Sequence, residues 1–150
     1  MSRVYVTKEV TFDTAHQLLN HLGLCKNIHG HTYKVQVTVT APVTQQGSKN
    51  PSEGMIVDFK ELKQLIKDVI VNNYDHTYVA AGDEPILDKI KELGLKLHII
   101  GVRPTAENMA VVMFDELQQA IQDNYFSFPN IELEKIRVYE TPTSWADYMG

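Results

Sequence analysis

Residues 31–41 read HTYKVQVTVTA, and the stretch alternates almost without exception. His31, Tyr33, Val35, Val37 and Val39 share one parity; Thr32, Lys34, Gln36, Thr38 and Thr40 share the other. Successive side chains of a strand point to opposite faces, so this pattern predicts a strand with one apolar and one polar face. The apolar face needs a layer packed over it. It also carries a histidine at its leading end.

Residues 4–16, VYVTKEVTFDTAH, have the same character: Val4, Val6, Val10, Phe12 and His16 share a parity, with Lys8 the exception. Residues 42–54, PVTQQGSKNPSEG, read as a polar Pro/Gly-rich loop. Asp58 followed by Glu61 is an N-cap with a capping-box partner. Phe59, Leu62, Leu65, Ile66, Val69 and Ile70 then mark an amphipathic helix ending at Asn72-Asn73. Residues 85–94 suggest a short helix stopped by Gly94, and KLHIIGV a short strand. A second long helix follows Thr105, its N-cap, with Met109, Met113, Leu117 and Ile121 in its buried stripe. ELEKIRVYETP is a further strand, with Ile136, Val138 and Glu140 on one parity, and SWADYMG offers a last short one. This order predicts one α+β domain over residues 1–150, with an antiparallel sheet and helices on one face.

The formal net charge of −5 argues against a broad nucleic-acid footprint, though it leaves room for a few cations around one anionic substrate. One cysteine cannot make an intrachain disulfide, which fits a reducing compartment. The start, MSRVYVTKEVTFD, has no apolar core of a signal peptide. Apolar runs fall far short of the roughly 20 residues of a membrane-spanning helix. The expectation is a soluble, cytoplasmic protein without nucleic-acid or membrane partners.

If the first two strands pair as an antiparallel hairpin, His16 leaves one strand where His29 and His31 enter the other. His29 and His31 are two apart and share a face; Gly30 between them admits a bend or a close neighbour. Three imidazoles then converge. Three neutral imidazole nitrogens suit zinc and leave a fourth position open. Cys25 closes a structural site if it is the fourth ligand; otherwise it stands off as a reactive thiolate. A third reading makes the histidines ordinary hydrogen-bonding groups at a strand end.

The residues alone favour bland readings elsewhere. Asp75-His76 is a solvated turn after the first long helix. Glu140 is a strand-end carboxylate reaching water, and Glu107 an acid suited to a first helical turn. Met109 and Met113 belong to the core, and His21 and His98 carry no signal.

Taken in order, FDTAH, CKNIHGHTY, VDFKELK, NNYDHTYV, PTAENMA and YETPTS resemble the 6-pyruvoyltetrahydropterin synthase / 6-carboxytetrahydropterin synthase family over essentially the whole chain. The three-residue gap between Cys25 and His29 is similar to the 6-carboxy branch of queuosine biosynthesis. The resemblance implies the tunnelling fold: a four-stranded antiparallel sheet with two long helices on one face, assembled as trimeric barrels stacked into a homohexamer. It implies zinc on His16, His29 and His31. It implies Cys25 as general base, with Asp75 and His76 as proton-relay partners reaching it across a subunit boundary. Glu140 would anchor the pterin, and Thr105 and Glu107 would line its pocket. The implied reaction converts 7,8-dihydroneopterin triphosphate to 6-carboxy-5,6,7,8-tetrahydropterin, releasing acetaldehyde and triphosphate. Lys26, Lys8 and Arg103 are candidate triphosphate contacts. The alternatives are a 6-pyruvoyltetrahydropterin synthase and a pterin-binding protein without turnover.

Overall fold

The structure, a computed structural model, describes residues 2–43 and 46–150. Residues 44 and 45, inside the expected loop, lie outside it. The alternating stretches form β1 (Arg3–His16) and β2 (His29–Pro42), paired antiparallel along their length. Two further strands, β5 (Glu132–Thr141) and β6 (Ser144–Tyr148), continue the antiparallel ladder from β2. The expected four antiparallel strands are therefore present as β1-β2-β5-β6.

Among the described residues the sheet has six strands, however, in the order β4-β3-β1-β2-β5-β6. β3 (Thr77–Ala80) runs parallel to β1, and β4 (Leu97–Ile99) runs parallel to β3. β3 escaped the sequence reading because all four of its residues are buried and no alternation marks them.

The helical layer follows from apolar spacing. α1 (Phe59–Ile66) opens at Asp58, whose side chain accepts from the Lys60 amide, and buries Leu62, Leu65 and Ile66. It passes through a π-helical segment, Lys67–Val71, into α2 (Asn72–Tyr74). The helix thus runs past the expected stop at Asn72-Asn73: the Asn73 side chain donates to the Val69 carbonyl instead of breaking the turn. α4 (Ala106–Gln122) buries Met109, Met113 and Leu117. These side chains form one core with Phe12, Tyr33, Val35, Val37, Val39, Ile136 and Val138.

The crossover between β3 and β4 carries α3 (Leu87–Glu92), ended as expected by Gly94 at φ 67°. Leu87 and Ile90 pack with Tyr78 and Ala80 against Ala15 in a separate cluster. Ala15 neighbours the buried His16 and points to the other face. The two long helices therefore share one face of the sheet, while the short one lies on the opposite face.

Candidate metal centre and active site

The β1–β2 register makes His16 the direct partner of His29, and Thr14 that of His31. Even positions of β1 and odd positions of β2 share the core face, so all three imidazoles point under the helical layer. Their rings meet edge-on, with centroids 4.6, 5.2 and 5.0 Å apart. One ligand nitrogen from each lies within 4.8 Å of the others. Gly30 permits the close pairing: a Cβ there would stand 3.3 Å from the Thr14 carbonyl oxygen.

Hydrogen bonds set the tautomers. His16 Nδ1 lies 2.7 Å from the Pro104 carbonyl, and His29 Nδ1 lies 2.8 Å from the Asn27 carbonyl. A carbonyl only accepts, so both Nδ1 atoms carry the proton and both Nε2 atoms present lone pairs. Those lone pairs face each other across 3.1 Å. His31 Nε2 is buried and has no hydrogen-bond partner. Two opposed lone pairs and an orphaned third nitrogen make a site that is satisfied by a cation. The donor set and its backbone-fixed second contacts fit a metal ion with three nitrogen ligands. Burial, opposed by the Pro104 hydrogen bond and reinforced by His29, holds the pKa of His16 below its ordinary 6.5, which favours the neutral, ligating form.

Glu140 does not reach away into water. It lies where the β5–β6 register shifts between Tyr139 and Thr141, an irregularity of the kind that re-aims side chains near active sites. Its Oε1 stands 3.5 Å from His31 Nε2 and 3.7 Å from His16 Nε2, and the side chain is 31% exposed. A cavity of about 380 Å³ beside it is lined by His31, Lys34, Tyr139 and Glu140. Trp145 packs on Tyr139, with ring centroids 5.1 Å apart.

Cys25 sits half-buried in a 3-10 turn, Leu24–Lys26, and is a free thiol. Its sulfur is not part of the trio's 4.8 Å grouping, so this geometry gives a closed four-ligand site no support. Asp75 and His76 do make contact, at 3.8 Å, in a second cluster with Asp13. Asp75 Oδ1 accepts from the Asp13 amide, and the His76 amide donates to the Asp13 carbonyl. His76 is at φ 53°, in the left-handed region that few non-glycine residues occupy. The His76 side chain is 78% exposed. Both it and His31 line a largely apolar cavity of about 770 Å³, so His31 borders both cavities.

Thr105 caps α4 by accepting from the Asn108 amide, and Glu107 stands exposed in the first turn. Of the three candidate triphosphate cations, Lys26 is exposed beside Cys25. Lys8 lies eight residues along β1 from His16, about 26 Å within its own chain. Arg103 is already engaged by Asp83 and Glu84. Sequence reasoning missed Pro104, Asn27 and Asp13, whose contributions are mainly backbone groups and leave no residue-type signal.

An α+β sheet with a helical face, with three imidazoles that could hold a metal ion converging at the end of its first hairpin and a β5 carboxylate beside them, has the architecture of the tunnelling fold. The model of the 6-pyruvoyl tetrahydropterin synthase family matches residues 5–150, and the chain belongs to that family of enzymes. A 6-carboxy-5,6,7,8-tetrahydropterin synthase of Haemophilus influenzae is 34% identical over 147 residues, covering 95% of this chain and 96% of that one. The protein of the same name from Rickettsia bellii is 32% identical, covering 94% and 96%. Among solved structures, the 6-pyruvoyl tetrahydropterin synthase of Caenorhabditis elegans superposes with a TM-score of 0.68 at 25% identity, covering 100% of this chain and 97% of that one. Among the described residues, no helix is long and apolar enough to cross a membrane.

Proposed function

We propose that this protein converts 7,8-dihydroneopterin triphosphate to 6-carboxy-5,6,7,8-tetrahydropterin, with release of acetaldehyde and triphosphate, using zinc held by His16, His29 and His31. The observation that carries the reading is the pair of opposed Nε2 lone pairs at 3.1 Å, with His31 Nε2 unpartnered beside them and Glu140 3.5 Å away. The names of the relatives at 34% and 32% identity support the choice of product.

The pterin edge presents two parallel N–H donors, and a carboxylate accepts both. Glu140 takes that role from the wall of the 380 Å³ cavity, a volume suited to a small bicyclic ring. Bound zinc supplies Lewis acidity toward the side-chain oxygens. Cys25, as its thiolate, accepts the proton from the side-chain carbon next to the ring. His76, oriented by Asp75, donates a proton at the other end of the rearranging side chain. In an assembly of trimeric barrels stacked as a hexamer, His76 and Asp75 serve the Cys25 of a neighbouring subunit. The exposed Leu22, Leu24 and Ile28 around Cys25 support such an assembly. Thr105 and Glu107, at the start of α4, are assigned to the pterin pocket on the family resemblance of the PTAEN segment. A cytoplasmic setting suits a chemistry that needs a free thiol.

The test is incubation of zinc-loaded protein with 7,8-dihydroneopterin triphosphate, followed by mass analysis. The expected products are 6-carboxy-5,6,7,8-tetrahydropterin and acetaldehyde. A pterin that keeps all its side-chain carbons moves the assignment to the 6-pyruvoyl reaction, the name carried by the Caenorhabditis elegans structure.

A further inference from the structure

Two loops follow the parallel strands: residues 81–86 after β3 and residues 100–105 after β4. Arg103 from the second reaches back to the first. Its Nη1 donates to Asp83 Oδ1 at 2.7 Å and to Glu84 Oε1 at 3.0 Å, while its Nη2 donates to Asp83 Oδ2. The Glu84 side chain is fully buried, and Oε1 also accepts from the Ala81 and Gly82 amides. A buried carboxylate is costly unless a cation pairs it, so Arg103 and Glu84 hold each other in place. The fork to Asp83 adds direction that a lysine cannot reproduce.

The backbone of the same arginine is fixed as well. Its carbonyl accepts from the Asn108 side chain at 3.0 Å and from the Thr105 amide at 2.8 Å. Pro104, with its locked φ, lies between these two anchors. Its carbonyl is the acceptor 2.7 Å from His16 Nδ1, in a buried environment. The contacts of Arg103 and Thr105 thus flank the carbonyl that sets the tautomer of one imidazole of the trio.

We infer that Asp83, Glu84 and Arg103 form a positioning clamp for the metal centre, holding the Pro104 carbonyl against His16 so that His16 Nε2 stays aimed at His29 and His31. The inference rests on the proposed metal centre. It removes Arg103 from the triphosphate contacts and makes it a residue that acts on metal affinity through a backbone carbonyl. It also gives the loop after β3 a role in a site built mainly on β1 and β2.

The test is zinc affinity of the full-length apoprotein, measured by chelator competition, for wild type, Arg103→Lys, Asp83→Asn and His31→Ala. Melting temperatures are recorded without metal, and the visible spectrum with cobalt(II) reports ligand geometry. Arg103→Lys keeps a positive charge beside Glu84, and Asp83 is largely exposed, so Asp83→Asn keeps the fold even if the lysine variant does not. Loss of groups that orient a ligand typically weakens metal binding by 10–100-fold, and the expected loss here is on the order of 10-fold with an altered cobalt spectrum. Arg3→Lys, in the remote Arg3–Glu132 pair, is the control for stability effects that leave the metal untouched. Unchanged zinc affinity and cobalt spectrum in folded Asp83→Asn overturn the clamp while the metal centre stands. A wild-type protein that binds zinc no better than His31→Ala overturns both.

Discussion

His16 Nε2 and His29 Nε2 face each other across 3.1 Å, and in their neutral tautomers neither carries a proton to place between them. Each ring already donates its Nδ1–H to a backbone carbonyl, of Pro104 in one case and of Asn27 in the other. Such a contact is repulsive until a cation enters it. The strands that bring the rings together are held by a continuous ladder, and the hydrogen bonds to the Pro104 and Asn27 carbonyls hold the rings in these orientations.

Replacement of a ligand should therefore empty the site. His31→Ala is expected to lose stoichiometric zinc, with a fall in affinity exceeding the roughly 10–100-fold typical of outer-shell changes. Metal analysis after gel filtration checks this. Full occupancy in that variant removes His31 from the ligand set.

Cys25→Ala separates the open from the closed site. The thiol lies outside the histidine grouping, so zinc content is expected to persist while product formation collapses. Zinc lost together with the sulfur restores the closed four-ligand reading.

Glu140→Gln tests the anchor. The amide keeps the shape but replaces one accepting oxygen with a donor, and a hydrogen bond to a charged group contributes about 1.5–3 kcal/mol. KM for the pterin substrate should rise by on the order of 10-fold, with zinc content retained. An unchanged KM counts against the carboxylate as the contact for the pterin edge.

Acid should destabilise the apoprotein. Burial lowers the pKa of His16 from 6.5, opposed by the Pro104 hydrogen bond and reinforced by the neighbouring His29. An unfolded chain takes up this proton below about pH 6.5, and the folded site resists it. The His16 contribution is complete above that pH and is lost as pH falls toward the lowered folded value. Thermal melts of metal-free protein should give a melting temperature that falls as the pH drops from about 7 to below about 6.5. A rise over that interval contradicts the direction of the shift.

Much of this was readable before any coordinates. The alternation through Val35, Val37 and Val39 set the strand and its buried face, and the two-residue spacing of His29 and His31 put both on that face. Asp58 and Thr105 marked helix starts by side-chain chemistry that acts within one turn, and both cap; Glu61, expected to close a capping box with Asp58, accepts instead from the Ser127 amide and hydroxyl. The short parallel strand β3 was not readable, because a strand buried on both faces carries no period. The aim of Glu140 was not readable either, because a register shift belongs to the pairing of β5 with β6 and not to one segment alone.

Local pattern by itself determined which residues stand together on a strand or helix, since a side chain's direction follows from backbone geometry over a few residues. Only the tertiary structure decided which nitrogen of His16 is free. That depends on a carbonyl eighty-eight positions away, and on the Arg103 ion pairs that hold its loop. Backbone oxygens are alike in every residue, so their role appears only when the fold brings one against a particular ring.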